Sequence, residues 1–111
     1  MGRNRTADLL QGTLDFLVLR LLRSQPLNGW DIMHRLQLVS GDVLTVTAGS
    51  LYPALHRLEA RGYVTAAWTT SENNRRARLY KITSAGRRHL DAERQVWTRF
   101  SGAVDALLRD A

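Results

Sequence analysis

The chain has 111 residues, of which 44% are hydrophobic and 23% charged, so it can form one small globular domain but not two independent cores. No apolar run approaches the roughly 20 residues of a membrane-spanning helix, and the lack of cysteine excludes disulfides and thiolate ligands. The N-terminal MGRNRTAD lacks the apolar core of a secretory signal, and we therefore expect the protein in the cytoplasm.

The positive charge is concentrated in one part of the chain. The formal net charge is +6, and Lys81 is the only lysine, so nearly all of the cations are arginines. Residues 50–89 hold eight cations and two glutamates, whereas residues 1–49 and 90–111 are close to neutral. Because the planar guanidinium matches phosphate oxygens and guanine edges, this stretch predicts an anion-binding surface, with nucleic acid as the favoured partner. A genome of high GC content is an alternative source of the arginine excess.

The first forty residues predict two helices separated by a turn. Apolar residues recur at helical spacing in a mostly buried segment from Leu9 to Leu22, with Asp8 at its N-terminus. The residues that carry this pattern are Leu10, Leu14, Leu17, Val18 and Leu21. The segment 24–29 contains proline and an Asn-Gly pair and is predicted as a turn. A second helix from Trp30 to Val39 should direct inward Trp30, Met33 and either Leu36 or Val39.

A third helix is predicted from Ser50 to Arg61, after a very short strand or extended connector at residues 44–47. Its apolar residues, Leu51, Leu55 and Leu58, recur at i, i+4 and i+7, and Gly62 follows as a helix-ending residue. Pro53 is tolerated if it lies in the first turn, where its missing N–H has no partner to lose. If the helix instead begins at Thr47, Pro53 must kink it.

Two strands forming a hairpin are predicted next. Val64, Ala66 and Trp68 alternate with threonine and alanine. In the second strand, Tyr80 and Ile82 alternate with leucine and lysine. The segment SENNRRAR at 71–78 forms the tip and carries Arg75, Arg76 and Arg78. Trp30 and Trp68 are both interpreted as core residues.

The last helix is predicted from Thr83 or Ser84 to about Arg109 and has a heptad-like apolar seam. So long a stripe is hard to bury within one small domain, so we predict pairing with the same helix of a second chain. The alternative is a helix folded back on its own domain. The dimerisation residues are predicted to be Leu90, Val96, Trp97, Phe100, Val104 and Leu107.

The order of elements predicts a mainly α protein with a small β hairpin, of the α+β class, arranged as a winged helix-turn-helix. In this architecture the third helix enters the major groove of DNA and the hairpin contacts the backbone or minor groove. We divide the chain into a disordered arm at 1–7, a DNA-binding domain at 8–83 and a C-terminal dimerisation helix at 84–111. The alternatives for the arm are that it contacts DNA or that it has no role.

The sequence also resembles a known family. GSLYPALHRLEARGYV at 49–64, a strand with tryptophan, an arginine-rich turn and LYKITSAGRRHL at 79–90 resemble the PadR-like transcriptional regulators, and the likeness extends over roughly residues 9–90. It implies a bacterial homodimer, usually a repressor, that binds a palindromic operator and releases it on a signal. The chain departs from the family pattern at Leu79-Tyr80, where an aromatic pair is usual, and at Gly29-Trp30, where Gly-Tyr is more typical.

Eight residues are predicted to contact DNA. The third helix offers Ser50, Tyr52, His56 and Arg57 to the groove, and Thr47 to a phosphate near the helix start. Two alternatives are open: Tyr52 packs against its own domain, and His56 lies on a solvated surface. The tip offers Arg75, Arg76 and Arg78 to phosphates or the minor groove, unless it is a solvated turn.

Trp97 is the candidate ligand-binding residue, with Val96 and Phe100 beside it. Two indoles facing each other across a dimer seam would hold a flat aromatic effector by stacking, although an aromatic residue on a helical seam is commonly core.

Enzymatic activity is not expected. The three histidines fall on three helices, and the weak pair Asp31-His34 is the one case with a second ligand at metal spacing. No catalytic motif is found, so we expect no metal and no cofactor. A winged helix that binds proteins is the alternative function, and an RNA-binding module is another.

Overall fold

The computed structural model describes residues 13–70 and 73–110. In chain order, the elements are α1 (Leu14–Ser24), β1 (Leu27–Asn28), α2 (Gly29–Val39), α3 (Ala48–Ala60), β2 (Val64–Thr70), β3 (Arg76–Ile82) and α4 (Ser84–Arg109). The predicted α+β class and winged helix-turn-helix arrangement are confirmed, with α2 and α3 as the helix pair and β2–β3 as the wing. The predicted arm at 1–7, the helix start at Leu9 and the first two tip residues, Ser71 and Glu72, lie outside the described residues.

The sheet has three antiparallel strands in the order β1-β3-β2. The predicted hairpin is present, but β1 was predicted as part of a turn and instead pairs with β3, with Leu27 opposite Tyr80. A two-residue strand is too short to show an alternating pattern, and its pairing depends on a partner more than fifty residues away. Asn28 then caps α2, accepting a hydrogen bond from the backbone N–H of Asp31 at 2.8 Å.

The core lies where α1 meets the other three helices and the sheet. Its largest fully buried side chains come from each of these elements: Leu19, Leu22, Ile32, Leu51, Leu55, Leu58, Tyr80 and Leu90. Leu90 was expected at the dimer interface, but it is only 1% exposed within the single chain because α1 packs against α4. Leu90 therefore belongs to the domain's own core.

The prediction that Trp30 and Trp68 are core residues is wrong. Trp30 is 65% exposed because α2 turns its Gly29–Ile32–Leu36 face inward, and the next residue after Gly29 points about 100° away. Trp68 does share a sheet face with the buried Val64, but burial decreases along β2, and Trp68 is 60% exposed. The strand continues past the edge of the core.

α3 begins two residues earlier than predicted. Thr47 is its N-cap, with a side chain that accepts a hydrogen bond from the backbone N–H of Ser50 at 3.3 Å. Pro53 is consequently the sixth helical residue and not in the first turn, so the carbonyl of Gly49 lacks the i to i+4 donor it would otherwise have. Of the alternatives for residues 44–47, the structure has the extended connector. Within residues 13–70 and 73–110, no helix is long and apolar enough to cross a membrane.

Candidate nucleic-acid interface

The outward side of α3 is the centre of the candidate surface. Its inner side is fully buried through Leu51, Leu55 and Leu58, as the helical spacing predicted. The opposite side leaves Ser50 and His56 exposed to solvent. Thr47 is also exposed, but its hydroxyl oxygen already accepts the capping hydrogen bond. A phosphate at this end of α3 would therefore be bound mainly by the neighbouring backbone N–H groups.

Tyr52 packs against its own domain, which is one of the two predicted alternatives. A Cβ built on Gly29 would come within 2.7 Å of the Tyr52 Cζ atom and closer still to the hydroxyl oxygen. The ring therefore lies directly over the start of α2, where only glycine leaves room for it. The side chain is still 39% exposed, so one edge of the ring remains open to a partner.

Arg57 is held by α1. Its Nη2 lies 2.8 Å from Oδ1 of Asp15, and its Nε lies 3.2 Å from Oδ2, which is a two-pronged ion pair. The hydrogen bond to Asp15, helped by that residue's negative charge and opposed by desolvation, raises the pKa of Arg57 above its usual value. Arg57 thus reaches a base or phosphate only by leaving or sharing this carboxylate, a constraint that the sequence does not reveal.

The wing arginines do not all lie at the tip. Arg76 and Arg78 are residues of β3, and the turn itself contains Arg75 and Asn74, whose φ of 60° suits asparagine. Arg78 lies directly opposite Trp68 in the antiparallel register. Its Nη2 is 3.3 Å from Oε2 of Glu59 on α3. The assignment of Arg78 to a flexible tip is therefore wrong, because the ladder continues through it.

Two arginines of β3 lie near aromatic rings on the face of the sheet that contains Trp68 and Tyr80. The Arg76 guanidinium carbon lies 4.6 Å from the Trp68 ring centroid, and that of Arg78 lies 5.7 Å from the same ring and 5.9 Å from Tyr80. Burial raises the pKa of Tyr80, and the positive charge of Arg78 opposes that shift. Sequence patterns gave no sign of Glu59 or Asp15 as partners of these arginines, since each ion pair joins distant elements.

A second exposed surface runs along the C-terminal half of α4. Val96 is 61% exposed, Trp97 44%, Phe100 60% and Leu107 74%, while Val104 is half-buried. The rings of Trp97 and Phe100 are tilted, with centroids 6.1 Å apart. An exposed apolar stripe of this length is a feature of interaction surfaces.

The likeness to known proteins agrees with this geometry. The family model described as "Transcriptional regulator PadR-like family" matches residues 18–92. An uncharacterized protein X of Lysinibacillus sphaericus is 22% identical over 102 residues, which cover 92% of this chain and 94% of that protein. An uncharacterized 37.1 kDa protein in a transposon of Streptomyces fradiae is 41% identical over 88 residues, 79% of this chain but only 24% of that protein.

Solved structures show the same fold. A transcriptional regulator from Clostridium thermocellum has a TM-score of 0.81 at 23% identity, with 88% of this chain and 95% of that chain covered. A PadR-like transcriptional regulator from Bacillus cereus has a TM-score of 0.79 at 25% identity, with 91% and 96% covered. The resemblance drawn from the sequences of α3 and the wing is confirmed, and the chain belongs to the PadR-like family of transcriptional regulators.

Proposed function

We propose that the protein is a homodimeric repressor that binds a palindromic DNA operator in the cytoplasm. The observation that carries the proposal is that six of the eight cations in residues 50–89 lie on α3, at its C-cap or on the wing of a PadR-like fold. Cations at these two places suit a helix in the major groove and a hairpin along the backbone. The proposed contacts are Thr47, Ser50, Tyr52, His56, Arg57, Arg75, Arg76 and Arg78.

The ion pairs divide these residues into two groups. Arg76 is exposed and has no carboxylate partner among the described residues, and His56 is exposed on α3, so we expect both to contact DNA without releasing an ion pair. Ser50 is also exposed, but its hydroxyl accepts a hydrogen bond from the Thr47 hydroxyl at 3.4 Å. Arg57 and Arg78 are held by Asp15 and Glu59, and we expect their contribution to depend on that competition. Tyr52 contributes through the edge of a ring fixed over Gly29.

The dimer is proposed to form through α4. The exposed stripe Val96, Trp97, Phe100, Val104 and Leu107 follows one side of a helix that is about 39 Å long at 1.5 Å per residue. Packing this stripe against its copy removes it from water and brings two recognition helices into a symmetric pair. Two half-sites about one turn of DNA apart would then be read together.

A flat aromatic effector is proposed to bind between the two α4 helices, against Trp97 with Val96 and Phe100. The tilted pair of exposed rings offers stacking surface that a planar molecule can share. Quinoline is a suitable planar probe. We expect it to quench the tryptophan emission of the wild-type dimer more strongly than that of Trp97→Leu, in which only the exposed Trp30 and Trp68 remain. Equal quenching of both proteins would place the probe elsewhere.

The experiment that tests the function is selection from a library of random DNA duplexes, followed by fluorescence anisotropy over a salt series. We expect enrichment of a palindrome, two protomers per site and weaker binding to scrambled duplex and to double-stranded RNA. Transcription from a promoter containing the palindrome should fall when the protein is added. Failure to bind any duplex at low salt would contradict the proposal and favour the alternative, a winged helix that binds a protein partner.

A further inference from the structure

We propose that Trp68 is a positioning residue of the wing, which holds Arg76 in a conformation ready to contact the DNA backbone. This inference rests on the proposed function and concerns how the wing performs it. In the same arrangement Arg78 pairs with Glu59, so the two arginines have different main roles: Arg76 contacts DNA directly, and Arg78 ties the wing to α3 and contributes less to the contact.

The first support is the exposure of Trp68. Its register puts it on the same face of the sheet as Val64 and Ala66, a position at which a tryptophan is normally buried. It is nevertheless 60% exposed, because burial decreases along β2 from Val64 towards the tip of the hairpin. A large apolar ring left mostly in solvent contributes little to the core, and both Arg76 and Arg78 lie against it.

The second support is the geometry of the two guanidiniums. Arg76 lies closer to the ring centroid, at 4.6 Å, than Arg78 does, at 5.7 Å. The Arg78 charge is compensated by Glu59 at 3.3 Å, whereas the described residues give Arg76 no carboxylate within ion-pair distance. Arg76 is exposed, lies over an aromatic face and has no carboxylate partner among the described residues, so its N–H donors are available to a phosphate.

The third support is the connection to the recognition helix. Glu59 lies on α3 and Arg78 on β3, directly opposite Trp68 across the hairpin. The wing is therefore linked to α3 by a direct side-chain contact as well as by the short connection at residues 61–63. Ordering a long side chain before binding lowers the entropy that the contact would otherwise lose, so a pre-oriented Arg76 binds more tightly than a free one.

The test compares Trp68→Leu and Trp68→Phe in full-length protein with the selected operator. An exposed cation–π contact corresponds to about two- to fivefold in an equilibrium constant per protomer, and hence about four- to twenty-fivefold for a symmetric dimer. We expect Trp68→Leu to weaken binding within that range with an unchanged salt slope, because no charge is lost, and Trp68→Phe to restore most of the affinity. Thermal unfolding of each variant confirms that the fold is intact.

The arginines give an independent measurement. Arg76→Ala should make the salt slope shallower by about one unit per protomer, because a phosphate contact is lost. Arg78→Ala should change the slope less, and Lys81→Ala, on the opposite face of the wing, serves as the charge-matched control. In a double-mutant cycle, Trp68→Leu should have little further effect once Arg76 is alanine.

Three results would overturn the inference. Wild-type affinity of Trp68→Leu would show that the ring does not position Arg76, and additive effects in the cycle would show that the two residues act separately. Equal slope changes for Arg76→Ala and Arg78→Ala would remove the division of roles. Each of these leaves the proposed function intact, whereas absence of binding by the wild-type protein would refute both.

Discussion

The pairing of Arg57 with Asp15 makes an unusual prediction: Asp15→Asn should lower the stability of the protein and raise its affinity for DNA. The pair is two-pronged but partly solvated, with 48% of the Arg57 side chain and 25% of the Asp15 side chain exposed. Exposed pairs contribute about 0.2–1 kcal/mol, and good geometry favours the upper end of that range. A loss of about 1 kcal/mol corresponds to roughly 4–8 °C in the melting temperature of a domain of this size.

The gain in affinity follows from the charge that is released. An Arg57 freed from its carboxylate can neutralise one phosphate, which steepens the dependence of log K on log salt by about 0.9 per protomer. Lowering the salt fourfold should then strengthen binding by an additional three- to fourfold or so for each protomer, relative to wild type. The increase should appear on operator and on random duplexes alike, since a phosphate contact does not depend on sequence.

The assay is fluorescence anisotropy at several salt concentrations, combined with thermal unfolding of the same preparations. Asp91→Asn is the matched control, because Asp91 pairs with Arg23 at 3.3 Å between α1 and α4, away from α3. It removes the same charge and frees an arginine, and it should leave the salt slope nearly unchanged. Weaker binding by Asp15→Asn with an unchanged slope would refute the reasoning and would mean that Asp15 orients Arg57 for its contact.

Three further predictions concern the dimer and the stability of the domain. Leu107 is 74% exposed, and Leu107→Asp should weaken dimerisation by roughly a hundredfold or more, as measured by sedimentation equilibrium. Operator binding, measured by anisotropy, should be lost with it. A monomer that binds the operator tightly would contradict this prediction. Gly86→Ala should lower the free energy of unfolding by about 1–3 kcal/mol, because the added Cβ would meet the Tyr63 backbone. Gly102→Ala, on the same helix, adds a Cβ that meets nothing within 4 Å and should raise the free energy of unfolding by up to about 1 kcal/mol. Similar unfolding curves for the two variants would contradict the close packing at Gly86. Because burial raises the pKa of Tyr80 above 10, its phenol ionises first in the unfolded chain as the pH rises, and the stability should fall above about pH 10. Urea unfolding at pH 8 and 11 measures this fall, which should be smaller in Tyr80→Phe.

What the sequence could predict is set by how far apart the interacting residues are. The inner face of α3 follows from Leu51, Leu55 and Leu58, which are separated by one turn each, and the strands follow from a two-residue alternation. These patterns depend on near neighbours and were predicted correctly. The exposure of Trp30 was missed because the pattern of α2 fits two rotations of a short helix, and packing against α3 and the sheet selects one of them.

The features that were missed at the candidate site are all long-range. Asp15 and Arg57 are 42 positions apart, and Arg78 and Glu59 are 19 apart, so neither pair has a helical or strand period to indicate it. Leu90 shows the same limit in the other direction. Its seam position matches Trp97 and Val104, but the chain's own α1 covers it, and sequence alone does not say where a helix leaves its domain.

These contacts change the meaning of the basic residues on α3. Tyr52 over Gly29, Arg57 with Asp15 and Glu59 with Arg78 attach one helix to α2, α1 and the wing. Residues that a sequence pattern assigns to DNA therefore also fix the angle at which α3 is presented. Substituting them alters the placement of the helix as well as a contact, so a loss of affinity alone cannot separate the two effects. The salt slope can, because it counts phosphate contacts and does not respond to a change of helix angle that keeps them.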